Sequence, residues 1–138
     1  GRARIGWALG DKPDAVIVEL GANDGLRGLD PKATFDNLDA IIADIRTADL
    51  PVLLTGMLAP PNLGRDYADD FNAVFPRLAE KHDVLFYPFF LAGVATKPEL
   101  NQDDGIHPNP KGVRAVVDRI LPYVLDLLAR AKTKAGAS

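Results

Sequence analysis

The sequence predicts an α/β protein built on a parallel sheet, and three observations carry that prediction. Short apolar, β-branched runs alternate with amphipathic helical stretches in the order strand, helix, strand, helix, strand, helix. Each run leads into a distinctive loop, at the carboxyl end of the strand, where parallel sheets hold ligand-binding groups. The 138 residues, 47% hydrophobic and 25% charged, suit a single domain with a packed core.

The first run spans residues 14–20, Asp-Ala-Val-Ile-Val-Glu-Leu, between Pro13 and Gly21, and its apolar continuity predicts a strand buried on both faces. Pro51 to Gly56 and Val84 to Phe90 repeat the pattern. The first full helix is expected from a Thr34 N-cap, with Asp36 near the positive helix end and Phe35, Leu38, Ile41, Ile42 and Ile45 on one face. The second is expected over Asp66 to Lys81, with Tyr67, Phe71, Val74, Phe75 and Leu78 as its stripe and a kink at Pro76. The last is expected from Pro110 to Ala131, with apolar side chains at 113, 116, 117, 120, 121, 124, 127 and 128, and a frayed Lys132 to Ser138. Gly1 to Trp7 reads as the middle of a helix, and Gly10-Asp11 as a helix end before the first strand.

Composition narrows the function classes. Sixteen basic and nineteen acidic residues leave a net charge of −3 and no basic patch, so no nucleic-acid partner is expected. Without cysteine there is neither a disulfide framework nor thiolate chemistry. No apolar run approaches the roughly 18 residues of a membrane span. With two histidines, a metal site would need Asp103, Asp104 and His107 together with further ligands that the pattern does not supply, so neither metal nor cofactor is expected. Gly21, Gly25 and Gly28 have the wrong spacing for a dinucleotide fingerprint, and Asp30-Pro31 interrupts the loop before the next helix. His82 is expected to be an exposed residue at a helix C-terminus.

Two motifs bear chemistry. In Asp104-Gly105-Ile106-His107-Pro108 the acid and the imidazole can meet across one turn, so that Asp104 accepts the Nδ1 hydrogen and Nε2 is left as a base. A pair of surface residues at the start of a helix is the alternative reading. Gly21-Ala22-Asn23-Asp24-Gly25 follows the first strand, where the Asn23 NH₂ could serve a developing oxyanion, although Asn-Asp-Gly is also ordinary turn chemistry.

Together the motifs resemble the GDSL, or SGNH, hydrolase family, and within it the bacterial multifunctional acyl-thioesterase, arylesterase and lysophospholipase type. The likeness rests on residues 18–28, Val-Glu-Leu-Gly-Ala-Asn-Asp-Gly-Leu-Arg-Gly, and residues 102–109, Gln-Asp-Asp-Gly-Ile-His-Pro-Asn, about eighty positions later. The resemblance implies a flavodoxin-like, three-layer α/β/α fold and hydrolysis of carboxylic esters or acyl thioesters by a Ser-His-Asp acyl-enzyme route. It makes His107 the general base, Asp104 its orienting acid and Asn23 an oxyanion donor. It also makes Asp24 to Asp30 a mobile loop beside an acyl pocket, with Asp24, Leu26, Arg27, Leu29, Met57 and Pro60 as substrate-loop residues. The apolar side chains of these loops equally suit loop packing. Ala22 stands where close relatives often have glycine. Export of the parent protein to the periplasm or beyond is a further implication of the resemblance.

The chain departs from the family pattern at its nucleophile. The only serine is Ser138, Gly10-Asp11 is followed by Lys12 and not by serine, and the oxyanion glycine block is missing. Threonines 34, 47, 55, 96 and 133 read as caps, strand or surface residues rather than substitutes. The family resemblance therefore implies the C-terminal part of a hydrolase whose N-terminal serine block, with two strands and the helix between them, lies outside these residues. Such a chain alone is expected to be inactive, to leave the strand at 15–20 with an unpaired apolar edge, and to take that missing segment as partner. The alternatives are a catalytically inactive relative that serves as a binding module, and a flavodoxin-like domain that carries the motifs by chance.

Overall fold

In the computed structural model, residues 1–136 are described. A 3₁₀ turn at Arg2–Arg4 and helix α1 (Ile5–Gly10) precede strand β1 (Val16–Val18). Helices α2 (Ala22–Leu26) and α3 (Pro31–Thr47) lead to β2 (Val52–Thr55), α4 (Arg65–His82) leads to β3 (Leu85–Tyr87), and α5 (Pro110–Gly136) follows. The sheet order is β1-β2-β3 and both pairings are parallel, with Val16 opposite Val52 and Leu53 opposite Leu85.

Alternate side chains divide the sheet into two faces, as the strand period of two requires. Val18, Val52 and Leu54 pack with Leu38, Ile41, Ile42 and Ile45 of α3 and Phe71, Val74, Phe75 and Leu78 of α4. Leu53 and Tyr87 pack on the other face with Ile120 and Leu127 of α5. This is the three-layer α/β/α arrangement expected from the resemblance.

Several local expectations change. Only β2 is buried throughout; β1 has a single strand neighbour among the described residues, and Ile17 is 46% exposed. Helix α3 starts earlier than expected because Asp30, not Thr34, is the N-cap: its side chain accepts the Lys32 N–H, and Pro31 occupies the first turn. Asp30-Pro31 is thus a helix start rather than a loop interruption. Thr34 lies inside α3, buried. Helix α4 runs through Pro76, and α5 continues past Ala131 to Gly136; Ala137 and Ser138, which end the stretch expected to fray, lie outside the described residues. His82 is not a free surface residue, since its Nε2 lies 2.7 Å from Asp39 Oδ1 and its side chain is only 12% exposed.

Helix α5 buries Val116, Ile120 and Leu127 but leaves Val113, Val117, Leu121, Leu125 and Leu128 exposed along one flank. Its opposite flank carries Arg119, whose guanidinium fills the space above Gly93 in the segment after β3. The apolar flank therefore faces away from that segment.

Candidate active site

The loop after β3 is folded around its own polar groups. The Asn101 side-chain amide donates to the carbonyls of Val94 and Lys97, both at 2.8 Å, and Asn101 bridges Pro108. The Gln102 N–H donates to the His107 carbonyl at 2.8 Å, and the Gly105 N–H to Gln102 at 2.9 Å, a reversal that needs the left-handed backbone of Gly105 (φ +73°). Asn109 Oδ1 accepts the N–H groups of Lys111 and Gly112 at the start of α5, while its amide donates to Glu99 and Asn101. One asparagine thus caps the helix and closes the loop that carries His107.

Within that loop His107 Nδ1 lies 2.6 Å from Asp104 Oδ2, and Asp104 Oδ1 accepts the N–H groups of Ile106 and His107, each at 3.0 Å. The His107 side-chain hydrogen bond, followed by the two backbone N–H groups, draws the Asp104 carboxyl from 3.8 down to about 2. An ionised carboxylate only accepts, so the hydrogen of the short contact sits on His107 Nδ1. In the uncharged ring Nε2 then carries the free lone pair. The side chains are open to solvent, His107 at 67%.

His107 lines a cleft of about 1170 Å³ at the carboxyl ends of the strands. Asn23, Asp24, Leu26, Met57 and Pro60 line the same cleft, so the structure brings together most of the residues singled out in the sequence. Asp104 lies behind His107, outside the lining. Arg27 and Leu29 are also outside it: Arg27 ends α2, and Leu29 is 45% exposed with its carbonyl turned to Tyr67. Met57 is as much core as cleft, being buried against α3 and α4. The Ala59 N–H beside Pro60 is held by Asn72 Oδ1 at 2.8 Å.

The Asp24 to Asp30 segment, expected as a mobile loop, begins inside helix α2 and is tied at several points. The Thr34 hydroxyl donates to Asp24 Oδ2 at 3.0 Å, and the Tyr67 hydroxyl donates to the Leu29 carbonyl at 2.8 Å. From local pattern alone, Thr34 is expected as a cap and Tyr67 as part of an apolar helix stripe. Neither contact has a local signal, because partners 10 and 38 positions apart meet only when α3 and α4 pack. Glu19, also missed, lines the cleft, and burial raises its carboxyl above the ordinary value. Thr96 is a cleft residue with φ +65°, while the hydroxyls of Thr34, Thr47, Thr55 and Thr133 are engaged by protein acceptors.

Residues 1–115 match the GDSL-like Lipase/Acylhydrolase family. The chain belongs to that family. An arylesterase from Vibrio mimicus is 48% identical over 122 residues, covering 88% of this chain and 57% of that protein. The thioesterase 1/protease 1/lysophospholipase L1 of Escherichia coli K12 is 47% identical over 119 residues, covering 86% and 53%. The chain thus spans little more than half the length of these curated relatives. Among solved structures, the psychrotrophic esterase EstA from Pseudoalteromonas sp. superposes with a TM-score of 0.86 at 32% identity, covering 92% of this chain and 70% of that one.

Proposed function

We propose that this chain carries the acid-base and oxyanion side of a serine hydrolase for carboxylic esters or acyl thioesters, the attacking serine being supplied from outside these 138 residues. The 2.6 Å contact between Asp104 and His107, beside a cleft that also holds Asn23, carries the reading. His107 Nε2 takes the proton of the serine hydroxyl as the oxygen attacks the acyl carbon. It returns that proton to the departing alcohol or thiol, and a water molecule then repeats the sequence to release the acid. Asp104 holds the tautomer and stabilises the imidazolium. Asn23 NH₂, with backbone N–H groups, bonds the oxyanion of each tetrahedral intermediate. Leu26, Met57, Leu58 and Pro60 suit an apolar acyl or aryl group. The names of the relatives, arylesterase and thioesterase 1/lysophospholipase L1, support the same reaction class.

Because the only serine is Ser138, the 138 residues alone are expected to be inactive. The test is hydrolysis of a short-chain aryl ester by material of verified intact mass, with and without a joined Gly-Asp-Ser-Leu segment. Turnover only in the joined form, abolished by His107→Ala, is expected. Robust turnover by the homogeneous 138-residue chain, lost in His107→Ala, would show that the serine is not needed, and Thr96→Val then tests whether a cleft threonine replaces it.

A further inference from the structure

Helix α2 presents Asn23 to the cleft, yet it has little means of standing alone. It has five residues, Ala-Asn-Asp-Gly-Leu, and is entered through Gly21 at φ +102°. Asparagine, aspartate and glycine are poor helix formers, and so short a helix is far below the length that persists in water. Its conformation must come from what grips it.

Three grips are present. The Asp24 carboxylate takes the Thr34 hydroxyl of α3, and Gly25 lies against the Phe71 ring, so closely that an added Cβ would stand 2.7 Å from it. The third is Tyr67 of α4. Its hydroxyl lies 2.8 Å from the Leu29 carbonyl oxygen and 3.3 Å from that of Asp24, while the Leu29 N–H donates to the same Asp24 carbonyl at 3.0 Å. One phenol hydroxyl thus stands where the two ends of the 24–29 turn meet. Its ring is fixed by stacking on Phe71, with centroids 6.0 Å apart. Burial and the charges of Asp24 and Asp30 raise the phenol above its ordinary value of 10.0, so the hydroxyl remains a donor at neutral pH.

We propose that Tyr67 is a positioning residue for Asn23: by closing the Asp24 to Leu29 turn, its hydroxyl holds α2 in the orientation that presents the Asn23 side chain as oxyanion donor. The role rests on the hydrolase reading above. It does not require Tyr67 to touch substrate.

The test uses Tyr67→Phe, which keeps the ring on Phe71 and removes only the hydroxyl. Hydrogen exchange of the 138-residue chain should be about five- to tenfold faster at the Gly25, Arg27, Gly28 and Leu29 amides, the loss expected for one hydrogen bond. The β2 amides should be unchanged. In the serine-joined protein, Tyr67→Phe should lower kcat for the aryl ester about tenfold or more at nearly constant KM, since an oxyanion contact forms only in the transition state. Equal acceleration in β2, unaltered exchange at 25–29, or a raised KM with unchanged kcat would overturn the positioning role. A serine-joined protein indifferent to His107→Ala overturns the hydrolase reading instead, while the exchange pattern still reports on the turn.

Discussion

Asp104 bonds His107 twice, through Oδ2 to the imidazole Nδ1 and through Oδ1 to the His107 backbone N–H. The same carboxylate that holds the imidazole therefore also shapes the turn that carries it. These contacts hold the carboxyl at about 2 against an ordinary 3.8. A depressed carboxyl contributes stability that is complete above the ordinary value and is lost as the pH falls through the folded one. NMR of the Asp104 carboxyl carbon should give a midpoint near 2, and the turn should open as that midpoint is passed. Asp104→Asn should lower kcat of the serine-joined protein by about 10⁴-fold, because the amide favours the wrong tautomer.

Gly112 lies in the first turn of α5 against the Leu100 carbonyl oxygen, and a Cβ there would collide with that backbone atom. Since the Asn109 N–H bonds Leu100 and Asn109 caps α5, relief of the collision must disturb the loop that holds His107. Gly112→Ala should cost about 1–3 kcal/mol, read from the urea midpoint, despite the higher helix propensity of alanine.

Asp39 of α3 joins Lys81 and His82 of α4, at 2.8 and 2.7 Å. The Lys81 hydrogen bond, and after it the His82 bond, outweigh burial and hold the Asp39 carboxyl below its ordinary 3.8. The sign follows the same rule: the advantage is present above 3.8 and disappears as the pH falls through the lowered value. Asp39→Asn should be less stable than the parent in urea at neutral pH, and the difference should vanish in strong acid.

Among the described residues β1 is an edge strand that exposes Ile17, and α5 exposes a flank of Val113, Val117, Leu121, Leu125 and Leu128. Such an edge pairs readily with another chain. The 138-residue chain should self-associate in light scattering, and Ile17→Lys with Val117→Lys should shift it toward monomer with an unchanged far-UV spectrum. A monodisperse parent at high concentration would contradict this.

The alternation of strands and helices was legible because each element leaves a periodic apolar trace over consecutive residues. The Asp104 and His107 pair was legible for the same local reason: three positions on a turn suffice to join them. Element ends were less so. Thr34 looks like a cap in isolation, but Asp30-Pro31 starts the helix, and Thr34 is turned inward to Asp24.

The sequence by itself determined the α/β class, the family resemblance and the meeting of Asp104 with His107, all of which depend on neighbours along the chain. Only the tertiary structure decided that α2 is clamped by Thr34 and Tyr67, that His82 is tied to Asp39, and that Arg27 and Leu29 stand outside the cleft while Glu19 lines it. Those outcomes depend on which faces of α3, α4 and the sheet meet. Hydrogen bonds between residues about 40 positions apart leave no periodic trace in the chain, because packing alone brings their partners into reach.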